Sequence, residues 1–199
     1  MDEHLADHYV QQARRSGYRS RAAYKLLELD RRDRLLKGGL RVVDLGAAPG
    51  SWSQVAAAKV APGGTVVAVD LLAMAPLAGV VFLQGDMRDP QTLAGLALHV
   101  KKGEVDLVLS DMAPNLSGVA AADAARAQEL VDTAAQFAAD FLRESGSLVA
   151  KLFHGHGFDE SLAMLRRRFR KVSVRKPAAS RDRSAEAYVV AAGPRRGIS

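Results

Sequence analysis

Short, nearly unbroken apolar runs alternate along this chain with longer stretches of helical periodicity. LRVVDL (40–45), TVVAVD (65–70), VVFLQ (80–84), VDLVLS (105–110) and SLVAKL (147–152) are rich in valine and leucine. Continuous rather than alternating hydrophobicity predicts strands covered on both faces, as in a parallel sheet. Helices are expected at SQVAAAKVA (53–61), more weakly at 91–99, over the alanine-rich stretch 120–143, and at FDESLAMLRRRF (158–169). KVSVRK (171–176) and AEAYVVAAG (185–193) read as two further strands, and Gly38-Gly39 and Pro62-Gly63-Gly64 as turns. There is no internal repeat and no linker long enough to separate domains. The pattern predicts an α/β, doubly wound fold: one structural domain with a basic helical N-terminal extension.

Composition narrows the chemistry. The chain has 199 residues, 48% hydrophobic and 25% charged, enough for one substantial core. It has no cysteine, which excludes disulfides, thiolate metal sites and a cysteine nucleophile. No apolar run approaches the roughly 20 residues of a membrane span. MDEHLADHYV carries no signal region, so a cytoplasmic location is expected. The net charge of +6 is unevenly placed. Residues 14–37 hold nine Lys/Arg against three Asp/Glu, and residues 166–183 hold nine against one, whereas 38–165 hold eight against fourteen. Basic flanks on an acidic centre suggest a core that handles a small ligand and outer segments that hold a polyanion. A merely solvated charged face is the plainer alternative.

The stretch VVDLGAAPGSWSQVAAA (42–58) runs from a strand through a glycine turn into a helix near Trp52. Gly46 and Gly50 let backbone approach a ligand closely, with helix-start amides facing it. It is neither the G-x-G-x-x-G fingerprint nor a P-loop, and Pro49 removes an amide a pyrophosphate could use. Asp70 ends the second strand, where a carboxylate can accept from both hydroxyls of a ribose. Asp86 follows the third strand, placed to read an adenine amino group, and Asp111 follows the fourth. Three carboxylates at successive strand ends repel a phosphate and suit an adenosine carrying a positive charge, as in S-adenosylmethionine. Taken singly, each Asp could be a helix cap.

DLGAAPGSWSQ, VVAVDLLAM, FLQGDMRD, LVLSDMAPNLSG and LVAKLF occur in that order. Together they resemble the FtsJ/RrmJ-type (RlmE) ribosomal RNA large-subunit 2′-O-ribose methyltransferases. The resemblance extends from RSRAAYKLLELD (19–30) to SRDRSAEAYVVAAG (180–193). It implies a Rossmann-like methyltransferase fold with a seven-stranded, mostly parallel sheet and an antiparallel last strand. On that reading residues 1–37 are the extension, 38–193 the methyltransferase domain and 194–199 a short tail. The family usually shows Pro-Gly-Gly-Trp where this chain has Pro49-Gly50-Ser51-Trp52; a serine fits there unless the position needs positive φ. By resemblance, Gly50, Trp52, Asp70, Asp86 and Asp111 contact the cofactor, although Trp52 alone could be core filler.

Methylating a ribose 2′-hydroxyl requires a base beside the incoming methyl group and partners that hold it in place. An ordinary lysine, with pKa about 10.4, is neutral to only on the order of 0.1% at pH 7. Burial and a nearby cation favour the neutral amine. Lys151 interrupts the apolar run LVAKLF, where a lysine is otherwise out of place. The resemblance supplies its neighbours: the family's Lys-Asp-Lys-Glu tetrad falls on Lys25, Asp111, Lys151 and Glu186. Lys151 is then the proton acceptor, Asp111 holds its amine, and Lys25 and Glu186 orient the ribose and balance charge. Taken alone, Lys25 reads as a surface residue and Glu186 as a strand-edge charge. His154 and His156 invite a metal reading, but no third ligand is evident, and they read as loop residues near RNA.

The basic segments border these residues and predict phosphate contacts to RNA with little sequence information. Aromatics beside them are few, so recognition by RNA shape is expected, with the target nucleotide splayed into the pocket. The resemblance implies a uridine in the A-loop of large-subunit ribosomal RNA, met within the ribosomal subunit by a monomer. A tRNA 2′-O-ribose methyltransferase is the alternative within the class. A non-catalytic RNA-binding assembly factor is the alternative outside it.

Overall fold

All seven apolar runs become strands of one sheet in the computed structural model, which describes residues 2–115, 117–180 and 184–196. In chain order the elements are α1 (Asp2–Arg15), α2 (Ala22–Asp33), β1 (Arg41–Leu45), α3 (Ser51–Val60), β2 (Thr65–Asp70), β3 (Val80–Gln84), α4 (Pro90–Ala97), β4 (Val105–Ser110), α5 (Ala120–Phe141), β5 (Leu142–Phe153), α6 (Phe158–Arg168), β6 (Phe169–Arg175) and β7 (Glu186–Pro194). The spatial order is β3-β2-β1-β4-β5-β7-β6. Strands β1 to β5 pair in parallel, while β7 runs antiparallel to both β5 and β6. The order reverses between β1 and β4, and in such sheets ligands bind outside the carboxyl ends at that switch point.

Successive side chains of a strand point to opposite faces, so each strand feeds two cores. Val43, Leu45, Val108, Leu148, Ala150, Leu152 and Val189 pack with residues of α4, α5 and α6. Val42, Val66, Leu107, Leu109, Val149 and Tyr188 pack on the other face with α2 and α3. Local signals set the helix ends. Asp89 accepts from the Thr92 amide at the start of α4, with Pro90 at the first turn. In α6, acidic Asp159 and Glu160 open the helix and Arg166–Arg168 close it, complementing the helix dipole.

Strand β5 begins at Leu142, five residues before the expected Ser147. Leu142 pairs with Val105 ahead of a register shift, and residues 143–145 are exposed, which gives this stretch of the strand a loop's polarity. Strand β6 likewise starts at buried Phe169 rather than Lys171.

The basic N-terminal region is fastened to the sheet. Ala23, Leu26 and Leu29 of α2 bury against Trp52 and Val55 of α3. Asp33 takes a forked pair of hydrogen bonds from Arg175 of β6, at 2.9 and 2.7 Å. Tyr9 of α1 packs on Tyr24 of α2 with ring centroids 5.5 Å apart. Because Leu26 is fully buried in this seam, Leu26→Ala should destabilise the whole fold by about 2–5 kcal/mol. A single cooperative urea transition at a lower midpoint is expected. Detachment of α2 with the main transition unshifted would show that the helix is not built into the core.

Candidate active site

Four ionisable side chains from distant regions of the chain meet on the α2/α3 face of the sheet. Lys25 Nζ lies 2.8 Å from Glu186 Oε2, and Lys151 Nζ lies 2.8 Å from Asp111 Oδ1 and 3.7 Å from Glu186 Oε1. Lys151 also donates to the Asp111 carbonyl at 3.0 Å. Lys25 and Lys151 are 6% and 7% exposed, so each ammonium depends on its carboxylate partners for the solvation it has lost. Register explains the meeting. Lys151 stands opposite Tyr188, and Phe153 opposite Glu186, so the β5 and β7 groups share one face. Asp111 follows the end of β4, and α2 lays Lys25 across the top. Formally, two positive and two negative charges cancel.

Tyr188, which the sequence reading did not single out, belongs to this cluster. Its hydroxyl donates to Asp111 Oδ1 at 2.7 Å, and Lys25 Nζ lies 5.6 Å from its ring centroid. Burial, then the Asp111 carboxylate, hold the phenol well above the usual tyrosine range, so it stays a donor. Its spacing two residues from Glu186 on a strand was the available signal. For Glu186, burial alone would push the carboxyl up, but the hydrogen bond from Lys25 and the nearby charges leave it below the usual glutamate range.

Beside the cluster, the switch-point crevice encloses about 380 Å³. Gly46, Asp70, Asp86 and Asp111 line it, with Leu71 and Leu72 at its rim. Asp111 therefore faces both the crevice and Lys151. Gly46 has φ +71°, and a Cβ there would come within 2.5 Å of the Met112 side chain. Asp70 accepts from the Ala48 and Leu72 amides at 2.8 and 2.7 Å, which leaves each oxygen a further lone pair for a hydroxyl. Asp86 is gripped by Arg88 through its amide and guanidinium, and this hydrogen bonding lowers the carboxyl below its ordinary range.

Gly50 and Trp52 do not line the crevice. Gly50, at φ +102°, lies under Arg19, Met74 and Leu77. Arg19 donates to the carbonyls of Pro49, Ala75 and Pro76, each at 2.8 Å, and so pins the segment after β2 to the glycine turn. Trp52 is 2% exposed, donates to the Ala22 carbonyl and packs against Tyr188, which is the core position. Ser51 fits its turn: it starts α3 without positive φ and its hydroxyl bonds that of Ser20 at 2.7 Å. His154 and His156 line a separate cleft on the far side of β5. Among the described residues no three His, Cys, Asp or Glu gather closely enough to hold a metal ion. Arg181, Asp182 and Arg183 of the second basic segment, and Gly197, Ile198 and Ser199 of the tail, lie outside the described residues.

Asp44 is the other group the sequence reading passed over. It is fully buried one residue before the end of β1, with Ser53 donating to Oδ2 and no partner for Oδ1 among the described residues. Burial pushes its carboxyl up to about 7, and the Asp111 and Asp70 charges add to the rise while Ser53 opposes it. The signal was an acidic residue near the end of an otherwise apolar strand just before the turn.

The FtsJ-like methyltransferase family model matches residues 18–194. The ribosomal RNA large subunit methyltransferase E of Thiobacillus denitrificans is 54% identical over 194 residues, which is 98% of this chain and 88% of that protein. The protein of the same name from Chromohalobacter salexigens is 53% identical, covering 97% and 92%. Among solved structures, a Plasmodium falciparum protein assigned as a ribosomal RNA methyltransferase superposes with a TM-score of 0.76 at 28% identity, over 89% of this chain and 98% of that one. Aeropyrum pernix fibrillarin with natively bound S-adenosyl-L-methionine shares the fold at a TM-score of 0.56 and 17% identity, over 79% and 68%.

The raised Asp44 carboxyl has a thermodynamic sign. Between about pH 4, where an unfolded aspartate titrates, and about pH 7, the native chain holds the extra proton. The Asp44 contribution to stability therefore falls as pH rises through that window, by up to about 1.4 kcal/mol per pH unit, and is constant above it. Urea unfolding of wild type and Asp44→Asn from pH 4 to 8 should show the difference moving in the variant's favour up to about pH 7. A pH-independent difference would place the Asp44 carboxyl in its ordinary range.

Proposed function

This chain belongs to the FtsJ-like methyltransferase family, and we propose that it methylates a ribose 2′-hydroxyl of large-subunit ribosomal RNA with S-adenosylmethionine, the target being an A-loop uridine. The observation that carries the reading is the shared position of Asp111: one wall of the crevice and 2.8 Å from Lys151. A methyl donor in the crevice and a base in the cluster would thus face each other across one carboxylate. The names of the ribosomal RNA relatives support the substrate.

The crevice residues fit the cofactor. Asp70 has lone pairs left for ribose hydroxyls, Leu71 and Leu72 (62% and 69% exposed) offer apolar surface to an adenine ring, and Asp86 stands at that end. The Asp70 and Asp111 carboxylates disfavour a phosphate and favour a cation, while the Asp86 charge is balanced by Arg88. When bound, S-adenosylmethionine supplies a methyl carbon on a sulfonium, activated toward an oxygen nucleophile in line with the leaving sulfur. Lys151 would take the 2′-hydroxyl proton at Nζ. Asp111 and Glu186 then stabilise the ammonium that forms, while Tyr188 keeps the Asp111 carboxylate aimed. Lys25 and Glu186 orient the ribose at the open side of the cluster. Gly50 acts by letting the turn close under Arg19, and Trp52 by seating α3, so both support the cofactor site through backbone placement.

The basic face of α2, with Lys176 and the segment up to residue 183, supplies phosphate contacts. Arg166–Arg168 instead close α6 at the amino edge of the sheet, where Phe169 pairs with Pro194, and so do not border the cluster as the sequence led one to expect. Residues 1–37 serve as an extension on a methyltransferase domain at 38–193, with 194–199 as its tail. We read the protein as a cytoplasmic monomer. Among the described residues no helix is long and apolar enough to cross a membrane.

The test uses labelled S-adenosylmethionine, unmodified large ribosomal subunits and unmodified bulk tRNA. Label is expected at a ribose of the subunit's RNA. Lys151→Ala should slow it by at least about a hundredfold, the scale of a lost general base, with cofactor affinity retained. Label confined to tRNA would overturn the substrate while keeping the chemistry. Label in neither, with cofactor bound, would favour a binding factor over an enzyme.

A further inference from the structure

A second cleft opens where β5 ends, beyond the catalytic lysine and outside the cofactor crevice. It encloses about 350 Å³, within the roughly 300–1,000 Å³ range of small-ligand pockets. Phe153, His154 and Phe158 supply its aromatic surface, and Gln128 of α5 stands opposite. The His154 and Phe158 rings lie 4.3 Å apart, centroid to centroid, at 31°. Phe153 also belongs to the cluster's surroundings, since its ring centroid is 6.0 Å from Lys151 Nζ. Asp123, at the rim, is already occupied: its carboxylate accepts from the Ser117 amide and hydroxyl and from the Gly118 amide. By contrast, the Gln128 amide makes no side-chain hydrogen bond to another described residue. Gly157, at φ +85°, passes close enough that a Cβ would lie 3.3 Å from Gln128 Oε1.

We propose that this cleft receives the nucleobase of the nucleotide whose ribose meets Lys151. The inference rests on the proposed ribose methylation. The base hangs from the ribose carbon next to the one that bears the 2′-hydroxyl. A ribose held at Lys151 therefore sends its base one ring's width away, and Phe153 lies at that distance. Bases taken out of a stack are commonly received on aromatic side chains. The Gln128 amide has one acceptor and two donors, the complement of a pyrimidine edge: it accepts from uracil N3–H and donates to O4. Rotated by half a turn, the same amide pairs with cytosine. The cleft thus holds the base and does not by itself choose between the two pyrimidines. His154 gains a use here that needs no metal, as a wall of the base site.

The test compares wild type with Gln128→Leu, at a half-buried site, and His154→Ala, at an exposed one, using labelled S-adenosylmethionine and unmodified large ribosomal subunits. With melting temperature and cofactor affinity unchanged, kcat/KM for the subunits should fall by roughly ten- to a hundredfold, the scale of one lost base contact. The slope of log kcat/KM against log salt should stay as in the wild type. A slope reduced by about one would make His154 a phosphate contact, and would overturn the assignment. Unchanged kcat/KM would overturn it too, with ribose methylation by the wild type still standing. Weakened cofactor binding would give the cleft to the cofactor instead. If the wild type labels no ribose, the parent reading fails and the base site with it.

Discussion

The buried pairing of two lysines with two carboxylates is the constraint on which the rest of this architecture depends. An unpaired ammonium under a helix would cost several kcal/mol, so Lys25 and Lys151 can be buried only together with Glu186 and Asp111. Those four positions lie on α2, β5, β7 and the turn after β4. Bringing them together requires the sheet to be complete and α2 to be docked. The Tyr188 hydroxyl and the forked Arg175–Asp33 pair reinforce the same closure from either side. Such a cluster gains little as an ion-pair network, and its value lies in fixing the geometry of polar groups in a nearly dry place.

Around that cluster the sheet organises three neighbouring spaces at its carboxyl edge. The crevice at the switch point is acidic and rimmed with leucine, the cluster is balanced in charge, and the cleft past β5 is aromatic. Asp111 joins the first to the second, and Phe153 joins the second to the third. A ligand with a ribose, a cation and a flat ring suits the first. A second ribose and base suit the other two. This is the logic of an open α/β sheet, in which strand ends carry the chemistry and strand interiors carry the packing.

Much of this was legible in the sequence because the physics involved is local. Unbroken valine-rich runs marked the strands, and glycine turns marked the breaks between them. Lys151 declared itself by interrupting an apolar run. What escaped was set by distant partners. Trp52 looks the same in sequence whether it faces a ligand or the core, and only the docking of α2, with the Ala22 carbonyl above the indole, decides for the core. Asp44 and Tyr188 each passed as strand residues until α3 placed Ser53, and the turn after β4 placed Asp111, against them. The early start of β5 was hidden because its first residues are exposed and therefore polar.

The position of β7 has a consequence for how the protein is made. The last strand in chain order is not at an edge but between β5 and β6, antiparallel to both. Until it arrives, β5 and β6 have an unfilled slot between them, and Lys25, 161 residues upstream, has no Glu186 to meet. A nascent chain growing from its N-terminus therefore passes through lengths at which Lys151 already has Asp111 while Lys25 still waits for its counter-charge. The cluster is completed only when this central strand joins the sheet. A chain broken off before residue 186 exposes two bare strand edges and would be recognisable by them to the machinery that clears unfinished proteins.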